Sequence, residues 1–302
     1  MDAAVWARDL GLHGSEATAP DGTTLRFWVG GAAEGPRAIF LHGFPQNAGA
    51  WRKVAALLAG EMRLVIPDLR GYGESDIPAS GKYDIDTLVS DVVTVEGATR
   101  REGEPPGRAL LLAHDWGGPI AWHVLHTKPG LVRGLVATNA PHFAAYAREL
   151  QTPEQAKRAW YTAVFQVPFV EHLLALGDGK AFRFVFETSA PAGLFSEADV
   201  DSFVRPLLRP GRALASIAYY RAAARYLVTH RREIRDLKPT EVPAIIVWGQ
   251  DDAALSRSHP DACARFVTNL ETRRLDGVSH WVPEQAPEDV ARAVRDLEAR
   301  TR

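Results

Sequence analysis

The sequence is short of sulfur ligands and has no excess of charge of one sign. Its one cysteine, Cys263, excludes an intrachain disulfide, and its ten scattered histidines offer no paired Cys/His spacing for a metal. The formal net charge of -2, with acidic and basic residues interspersed, excludes the basic footprint that is typical of nucleic-acid binding. We therefore predict no metal, no cofactor and no nucleic-acid partner.

Long apolar runs are also missing. No stretch approaches the roughly twenty apolar residues that a bilayer requires. The first residues include Asp2, Arg8 and Asp9 and show no apolar core of signal-peptide length. The sequence therefore predicts a cytoplasmic protein without a membrane partner, either a monomer or a homodimer.

What is present is an alternation of short apolar runs with longer segments of helical period. Strands are predicted at 25–29, 38–41, 64–66, 109–112, 134–137 and 244–248, and helices at 50–58, 85–100, 117–128 and 260–268. Most of the apolar runs are continuous, which is typical of strands buried on both faces of a parallel sheet. The pattern predicts an α/β fold with a doubly wound, mostly parallel sheet.

The alternation stops near Pro141 and resumes near Val242, and the interval between them is rich in aromatic residues. We interpret residues 141–241 as a helical cap inserted into a core domain that comprises residues 1–140 and 242–302. Most aromatic residues of such a segment are expected to form its own hydrophobic core.

An aspartate stands in the turn that follows the strand at 109–112. The run Ala113-His-Asp-Trp-Gly117 has small residues on both sides of a candidate reactive group, Asp115, as a tight strand-to-helix turn requires. A carboxylate can displace a leaving group at an sp3 carbon and form an ester that water later cleaves. Asp115 therefore favours epoxide opening or carbon–halogen cleavage. The alternative is an ordinary N-cap aspartate.

Two further motifs supply partners for such a nucleophile. Asp251 and Asp252 follow the strand at 244–248, at the sheet edge where doubly wound folds bind ligands. His280 lies on a loop before the last helix. The chain order of nucleophile, acid and histidine matches one arrangement of a hydrolytic triad, with either aspartate as the acid.

A candidate oxyanion hole comes from the turn after the strand at 38–41. The backbone N–H of Phe44 would supply one donor and that of Trp116 the other. The bond from Phe44 to Pro45 is a candidate cis peptide bond, since cis bonds are tolerated before proline.

With these motifs the sequence resembles the α/β-hydrolase superfamily, and within it the branch of epoxide hydrolases and dehalogenases. The likeness runs from residue 25 to residue 297, and its motifs are His42-Gly-Phe-Pro45, Asp68-Leu-Arg-Gly-Tyr-Gly-Glu-Ser-Asp76, His114-Asp-Trp-Gly-Gly118, Trp248-Gly-Gln-Asp-Asp252 and Gly277-Val-Ser-His-Trp281. It implies an α/β-hydrolase fold with a cap. It also favours Asp252 as the acid, because Thr138-Asn139 lacks the carboxylate that some members of the branch place there.

The resemblance also implies which residues handle the leaving group. Epoxide hydrolases use two cap tyrosines, whose neutral phenols can hydrogen-bond the epoxide oxygen. Tyr161 and Tyr220 match those sites, with Tyr219 as the alternative to Tyr220. The substrate pocket is expected to use a set of mostly aromatic residues: Phe44, Trp116, Phe143, Trp160, Phe165, Tyr219 and Trp281.

A second activity of the same branch stays open. Haloalkane dehalogenases often carry an asparagine where this chain has Phe44, and fluoroacetate dehalogenases carry arginines where it has Trp116 and Pro119. Gln46, in contrast, resembles the fluoroacetate dehalogenases.

We therefore predict an epoxide hydrolase that converts a small apolar epoxide to a vicinal diol. The route is an ester on Asp115, which water activated by His280 then cleaves. One alternative is a haloacid or haloalkane dehalogenase that applies the same triad to a halogenated substrate. The other is a non-catalytic protein that binds a small apolar ligand under the cap.

Overall fold

The computed structural model describes residues 5–301 of the chain. Its strands are β1 His13–Thr18, β2 Thr24–Gly31, β3 Arg37–Leu41, β4 Arg63–Pro67, β5 Ala109–His114, β6 Val132–Thr138, β7 Ala244–Gly249 and β8 Leu270–Leu275. They form one sheet in the order β1-β2-β4-β3-β5-β6-β7-β8. Strand β2 pairs antiparallel with β1 and β4, and the remaining pairs are parallel. The predicted α/β fold with a mostly parallel sheet is confirmed.

The helices of the described residues lie before, between and after these strands. They are α1 Val5–Asp9, α2 Arg52–Leu58, α3 Ile85–Ala98, α4 Gly117–Thr127, α5 Phe143–Glu149, α6 Pro153–Arg158, α7 Trp160–Val164, α8 Val170–Ser189, α9 Glu197–Leu207, α10 Arg212–Thr229, α11 Arg231–Arg235, α12 His259–Cys263, α13 Val282–Gln285 and α14 Pro287–Arg300. A 3-10 turn over Ala48–Trp51 leads into α2.

The sheet separates two hydrophobic clusters. Successive side chains of β3 alternate between them, because neighbouring residues of a strand point to opposite faces: Ile39 and Leu41 join one cluster, and Ala38 and Phe40 join the other. Helices α3 and α4 pack on the first face, and α2 and α14 pack on the second. Burial on both faces explains why the central strands read as continuous apolar runs.

The six predicted strands are all present, and the two that sequence reasoning missed lie at the edges of the sheet. Strand β1 is almost entirely exposed and β8 is only half-buried, so neither needs an apolar run. The helix predicted at 260–268 is shorter, since α12 ends at Cys263 and Val267 pairs with Thr240 in a β-bridge. The two edge strands and this bridge form by pairing with segments that are distant in sequence. The local hydrophobic pattern does not encode such pairing.

Seven helices of the described residues, α5 to α11, lie between β6 and β7, in the interval predicted to form the cap. Buried aromatic side chains hold them together and extend the first hydrophobic cluster, among them Phe182, Phe186 and Phe203. The division into core and cap domains stays a prediction. Residues 1–4 and 302 of the predicted core lie outside the described residues.

Residues 5–301 carry neither a membrane-spanning nor a metal-binding signature. No helix in that range is both long and apolar enough to cross a bilayer. The same range holds no cluster of His, Cys, Asp and Glu side chains suited to a metal ion. Cys263 is buried, and its Sγ accepts a hydrogen bond from the backbone N–H of His142 over 3.2 Å.

Candidate active site

Asp115 stands in the sharp turn between β5 and α4. Its φ is 48°, in the left-handed region that residues other than glycine seldom adopt. The neighbours must be small: a Cβ on Gly117 would overlap the carbonyl oxygen of Leu41, and a Cβ on Gly43 would overlap the Asp115 carboxyl group. The turn therefore presents Asp115 at the carboxyl end of β5, as the sequence predicts.

The two carboxyl oxygens of Asp115 have different partners. The backbone N–H of Phe44 donates to Oδ1 over 2.7 Å, whereas Oδ2 lies 3.5 Å from Nε2 of His280. Oδ1 thus occupies one donor of the predicted oxyanion hole, and Oδ2 is the oxygen that faces His280. Trp116, whose amide is the second predicted donor, follows Asp115 directly and precedes α4. The Phe44-Pro45 bond is cis, as expected.

Of the two candidate acids, the structure brings Asp252 to the histidine. His280 Nδ1 donates to Asp252 Oδ2 over 2.7 Å, and both side chains are buried. Asp251 instead lies at the surface and pairs with Arg257. Asp252 is held in place by the backbone N–H groups of Ala254 and Leu255, which donate to its Oδ1 over 2.7 Å and 2.9 Å.

Asn139 is a site residue that sequence reasoning passed over. It follows β6 with a φ of 38°, and its Nδ2 donates to Asp252 Oδ2 over 2.6 Å. Its amide also pairs with the backbone of Gly249, accepting from the N–H over 2.7 Å and donating to the carbonyl over 3.1 Å. Asn139 therefore orients the carboxylate that orients His280. Its place at the carboxyl edge of a central strand was the available signal.

Burial and the neighbouring charges act in opposite directions on the pKa values of Asp115 and His280. Burial alone would raise the pKa of Asp115, but the hydrogen bond and charge of His280 outweigh it, so that pKa lies below its usual value. Burial would lower the pKa of His280, yet Asp252 and Asp115 together raise it to about 10. The raised pKa favours an imidazolium at His280, between the carboxylates of Asp115 and Asp252.

A cavity of about 260 Å³ opens above Asp115. Its lining is mostly apolar and includes both predicted tyrosines, Tyr161 and Tyr220. The ring of Trp116 packs edge-on against that of Tyr220, with 4.9 Å between the ring centroids. The hydroxyl of Tyr219 instead donates to the carbonyl of Arg70 over 2.8 Å, so Tyr220 is the better placed of the two neighbours.

Three of the predicted pocket residues, Trp116, Phe143 and Tyr219, line this cavity, together with Tyr83, His123 and Tyr146, which were not predicted. The hydrophobic periodicity of the sequence does not distinguish side chains that line the cavity from side chains in the layer behind them. Two predicted pocket residues, Phe44 and Phe165, form that second layer, where their rings pack against Tyr220 at 5.5 Å and 4.9 Å between centroids.

The structure places the remaining two pocket candidates away from the cavity. Trp160 is 62% exposed and points outward. Trp281 is buried against Phe186, and its indole N–H donates to Ser189 over 3.1 Å. Both residues are neighbours in sequence of functional candidates, but adjacent side chains of a helix or loop point in different directions.

The glycine-rich loop at 68–76 makes structural contacts. Asp68 accepts hydrogen bonds from the backbone N–H groups of Ala48 and Glu74. The Leu69 N–H donates to His42 Nε2 over 3.0 Å, while burial lowers the pKa of His42 to about 4. A neutral His42 therefore joins this loop to the turn that carries Phe44.

Comparison with known proteins identifies a family model that matches this chain and several proteins that are similar to it. A family model described as the alpha/beta hydrolase fold matches residues 36–287. The AB hydrolase superfamily protein YfhM of Bacillus subtilis is 30% identical over 273 residues, which cover 88% of this chain and 91% of that protein. Epoxide hydrolase 4 of Mus musculus is 28% identical over 291 residues, covering 93% of this chain and 78% of the relative.

Two solved structures are also similar to this chain over most of its length. An epoxide hydrolase from Bacillus megaterium, crystallised with an inhibitor, superposes with a TM-score of 0.82 and 26% identity, covering 94% of this chain and 99% of that one. Cfl2 from Burkholderia cenocepacia superposes with a TM-score of 0.81 and 29% identity, covering 94% and 95% of the two chains.

Proposed function

This chain belongs to the α/β-hydrolase family, and we propose that it is an epoxide hydrolase that opens an apolar epoxide to a vicinal diol. The observation that carries the proposal is the shared cavity of Asp115, Tyr161 and Tyr220. A carboxylate nucleophile and two phenol donors are the groups that ring opening needs. The similarity to epoxide hydrolases supports the same assignment.

In the first step, Oδ2 of Asp115 attacks a ring carbon while the phenols of Tyr161 and Tyr220 donate to the ring oxygen. The carbon–oxygen bond breaks, and the alkoxide takes a proton from a phenol. Burial and the nearby Asp115 charge raise the pKa of both tyrosines well above the usual value, so both are neutral donors in the resting enzyme. The product of this step is a hydroxyalkyl ester of Asp115.

In the second step, water attacks the ester carbonyl. Ester formation removes the negative charge of Asp115, so His280 loses one of the two anions that raise its pKa. The imidazolium then gives up its proton more readily, and that proton replaces the one that the phenol gave to the alkoxide. Neutral His280, oriented by Asp252, takes a proton from the attacking water and returns it to the alkoxide oxygen as the ester C–O bond breaks, which frees the diol. The acid proton left on Asp115 passes to His280 and restores the resting pair. The Phe44 N–H already contacts Oδ1 and stabilises the oxyanion, a role worth about 2.7–4 kcal/mol for a single donor.

The cavity fits a halogenated acid less well. A halocarboxylate needs a cationic partner, and no arginine is among the lining residues of the part of the chain that the structure describes. The phenols and the apolar lining together favour an epoxide.

A paired substrate screen tests the proposal. Purified protein is incubated with aromatic epoxides, fluoroacetate and short haloalkanes, and diol, fluoride and halide are measured. Diol formation with little or no halide release is the expected result. Halide release without diol formation would overturn the epoxide assignment, and no turnover of any substrate would favour a non-catalytic binding protein.

A further inference from the structure

A second cleft lies beside the active-site cavity and differs from it in character. It has a volume of about 630 Å³ and lies between the end of α4, helices α10 and α11, and the segment before β7. Exposed charged residues surround it: Asp86, Glu233, Lys238 and Glu241. The cleft is therefore open to solvent and polar, whereas the cavity above Asp115 is mostly apolar.

Three side chains, His123, Phe143 and Tyr226, line both spaces and form the wall between them. Their rings contact one another at centroid distances of 5.1 Å for His123 and Phe143, 5.9 Å for His123 and Tyr226, and 6.4 Å for Phe143 and Tyr226. The lining residues that the two spaces share are thus three aromatic side chains in ring contact, and side chains can change rotamer.

His123 carries an unused polar atom in this wall. Its side chain is 9% exposed, its Nε2 lies 3.7 Å from Asp86, and its buried Nδ1 has no hydrogen-bond partner. Burial lowers the pKa of His123, which favours the neutral ring. A buried polar atom without a partner is costly, and a passing hydroxyl group would satisfy it.

Epoxide hydrolysis makes the bound ligand more polar. An apolar epoxide has one ether oxygen, and hydrolysis converts it to two hydroxyl groups that an apolar cavity holds poorly. The lining of the cavity also includes two exposed residues, Ala163 and Gln166, so the cavity reaches the surface there. The apolar cavity therefore suits the epoxide, and the polar cleft suits the diol.

We propose that His123, Phe143 and Tyr226 form a gate through which the diol leaves into the polar cleft, with His123 Nδ1 hydrogen-bonding a product hydroxyl. This gate rests on the proposed epoxide hydrolysis. The epoxide enters beside Gln166, and the diol leaves through the gate. His123 and Tyr226 act on release and take no part in forming or breaking bonds.

A reversible block of the cleft tests the gate. Glu233 lines the cleft and is exposed, so Glu233→Cys can be labelled there with a bulky methanethiosulfonate reagent. The sole native thiol, Cys263, is buried, and burial raises its pKa to about 12, so it stays unlabelled. Glu187→Cys, exposed on α8 and remote in sequence from the cleft lining, receives the same label as the matched control.

Release is measured by stopped-flow displacement of a fluorescent aromatic diol, and ester formation and hydrolysis by single-turnover rapid quench. We expect the label at 233 to slow diol release several-fold, to leave both chemical steps unchanged, and to be reversed by dithiothreitol. Phe143→Ala, which opens the wall, should speed release. His123→Phe keeps a ring but removes the polar atom, and it should slow release without the label.

Unchanged release in the labelled Glu233→Cys protein would overturn the gate, and so would a slowing equal to that of labelled Glu187→Cys. A slowing of ester formation as large as that of release would also overturn it. Failure of the proposed function looks different. In that case no ester forms on Asp115 with any epoxide, whether or not the cleft is labelled.

Discussion

Nδ1 of His280 lies 2.7 Å from Oδ2 of Asp252, and both groups are buried in the interior of the protein. The pair sets the orientation of the imidazole, so that the opposite nitrogen faces Asp115. Because the adjacent Asp251 is exposed and pairs elsewhere, the two neighbouring aspartates form a natural matched pair for testing the triad.

Asp252→Asn should slow hydrolysis of the ester by about 10²–10⁴-fold, the range for loss of positioned acid–base catalysis. Asp251→Asn should leave it unchanged. Single-turnover quench measures the step directly. Comparable losses in both variants would contradict the assignment of Asp252, since only one of the two carboxylates contacts His280.

The two cap phenols should matter for ring opening and not for hydrolysis. Tyr161→Phe and Tyr220→Phe are each expected to slow ester formation by about 10²-fold or more, because the alkoxide loses a proton donor. Tyr219→Phe removes a hydrogen bond to the Arg70 carbonyl, costs about 1 kcal/mol of folding stability, and should spare the reaction. Equal slowing of ester formation in Tyr219→Phe would show that the wrong neighbour had been assigned.

The two chemical steps should depend on pH in different ways. The lowered pKa of Asp115 keeps it ionised from mildly acidic pH upward, so ester formation should be flat through neutrality. Ester hydrolysis needs a neutral His280, so its rate should fall as pH drops, with an apparent pKa below the resting value of about 10 because the Asp115 charge is lost in the ester. Rapid-quench rates across the pH range separate the steps. Hydrolysis that rises only above the resting pKa would contradict the charge argument.

The same ion pairs predict a trend in stability. A histidine whose pKa is raised by folding contributes stability that is fully present below its unfolded pKa and is lost as pH rises through its folded pKa. For His280 that window runs from 6.5 to about 10. The difference in free energy of unfolding between the native protein and His280→Gln should therefore shrink across this window in urea titrations. A difference that grows with pH would be inconsistent with a protonated His280.

The pattern of neighbouring residues in the sequence predicted those parts of the molecule that short stretches of sequence determine. Continuous apolar runs identified the six inner strands, and the small residues around Asp115 identified the turn. The order of Asp115, Asp252 and His280 along the chain was enough to propose a triad. The strands and the turn are each encoded within a few consecutive residues, and each of the three triad candidates stands in a short motif of its own, which is why sequence reasoning reached them.

Other features depend on packing between distant segments. Asn139, which follows β6, orients Asp252, which follows β7, and the hydroxyl of Tyr219 is bonded to the carbonyl of Arg70 although its ring lines the cavity. Trp160 faces outward although the next residue, Tyr161, lines the cavity. The direction in which the side chains of a short helix point depends on how that helix is oriented on the core. The periodicity of the sequence does not reveal that orientation.

The most direct test follows the oxygen atom in one turnover. With enzyme in excess over an aromatic epoxide in water enriched in oxygen-18, covalent catalysis predicts an essentially unlabelled diol, because its new oxygen comes from Oδ2 of Asp115, and predicts the label in the Asp115 carboxyl group. With His280→Gln, the ester should accumulate as a mass increase equal to that of the epoxide. A labelled first-turnover diol, with no label on Asp115, would contradict the covalent route and show that water attacks the epoxide directly.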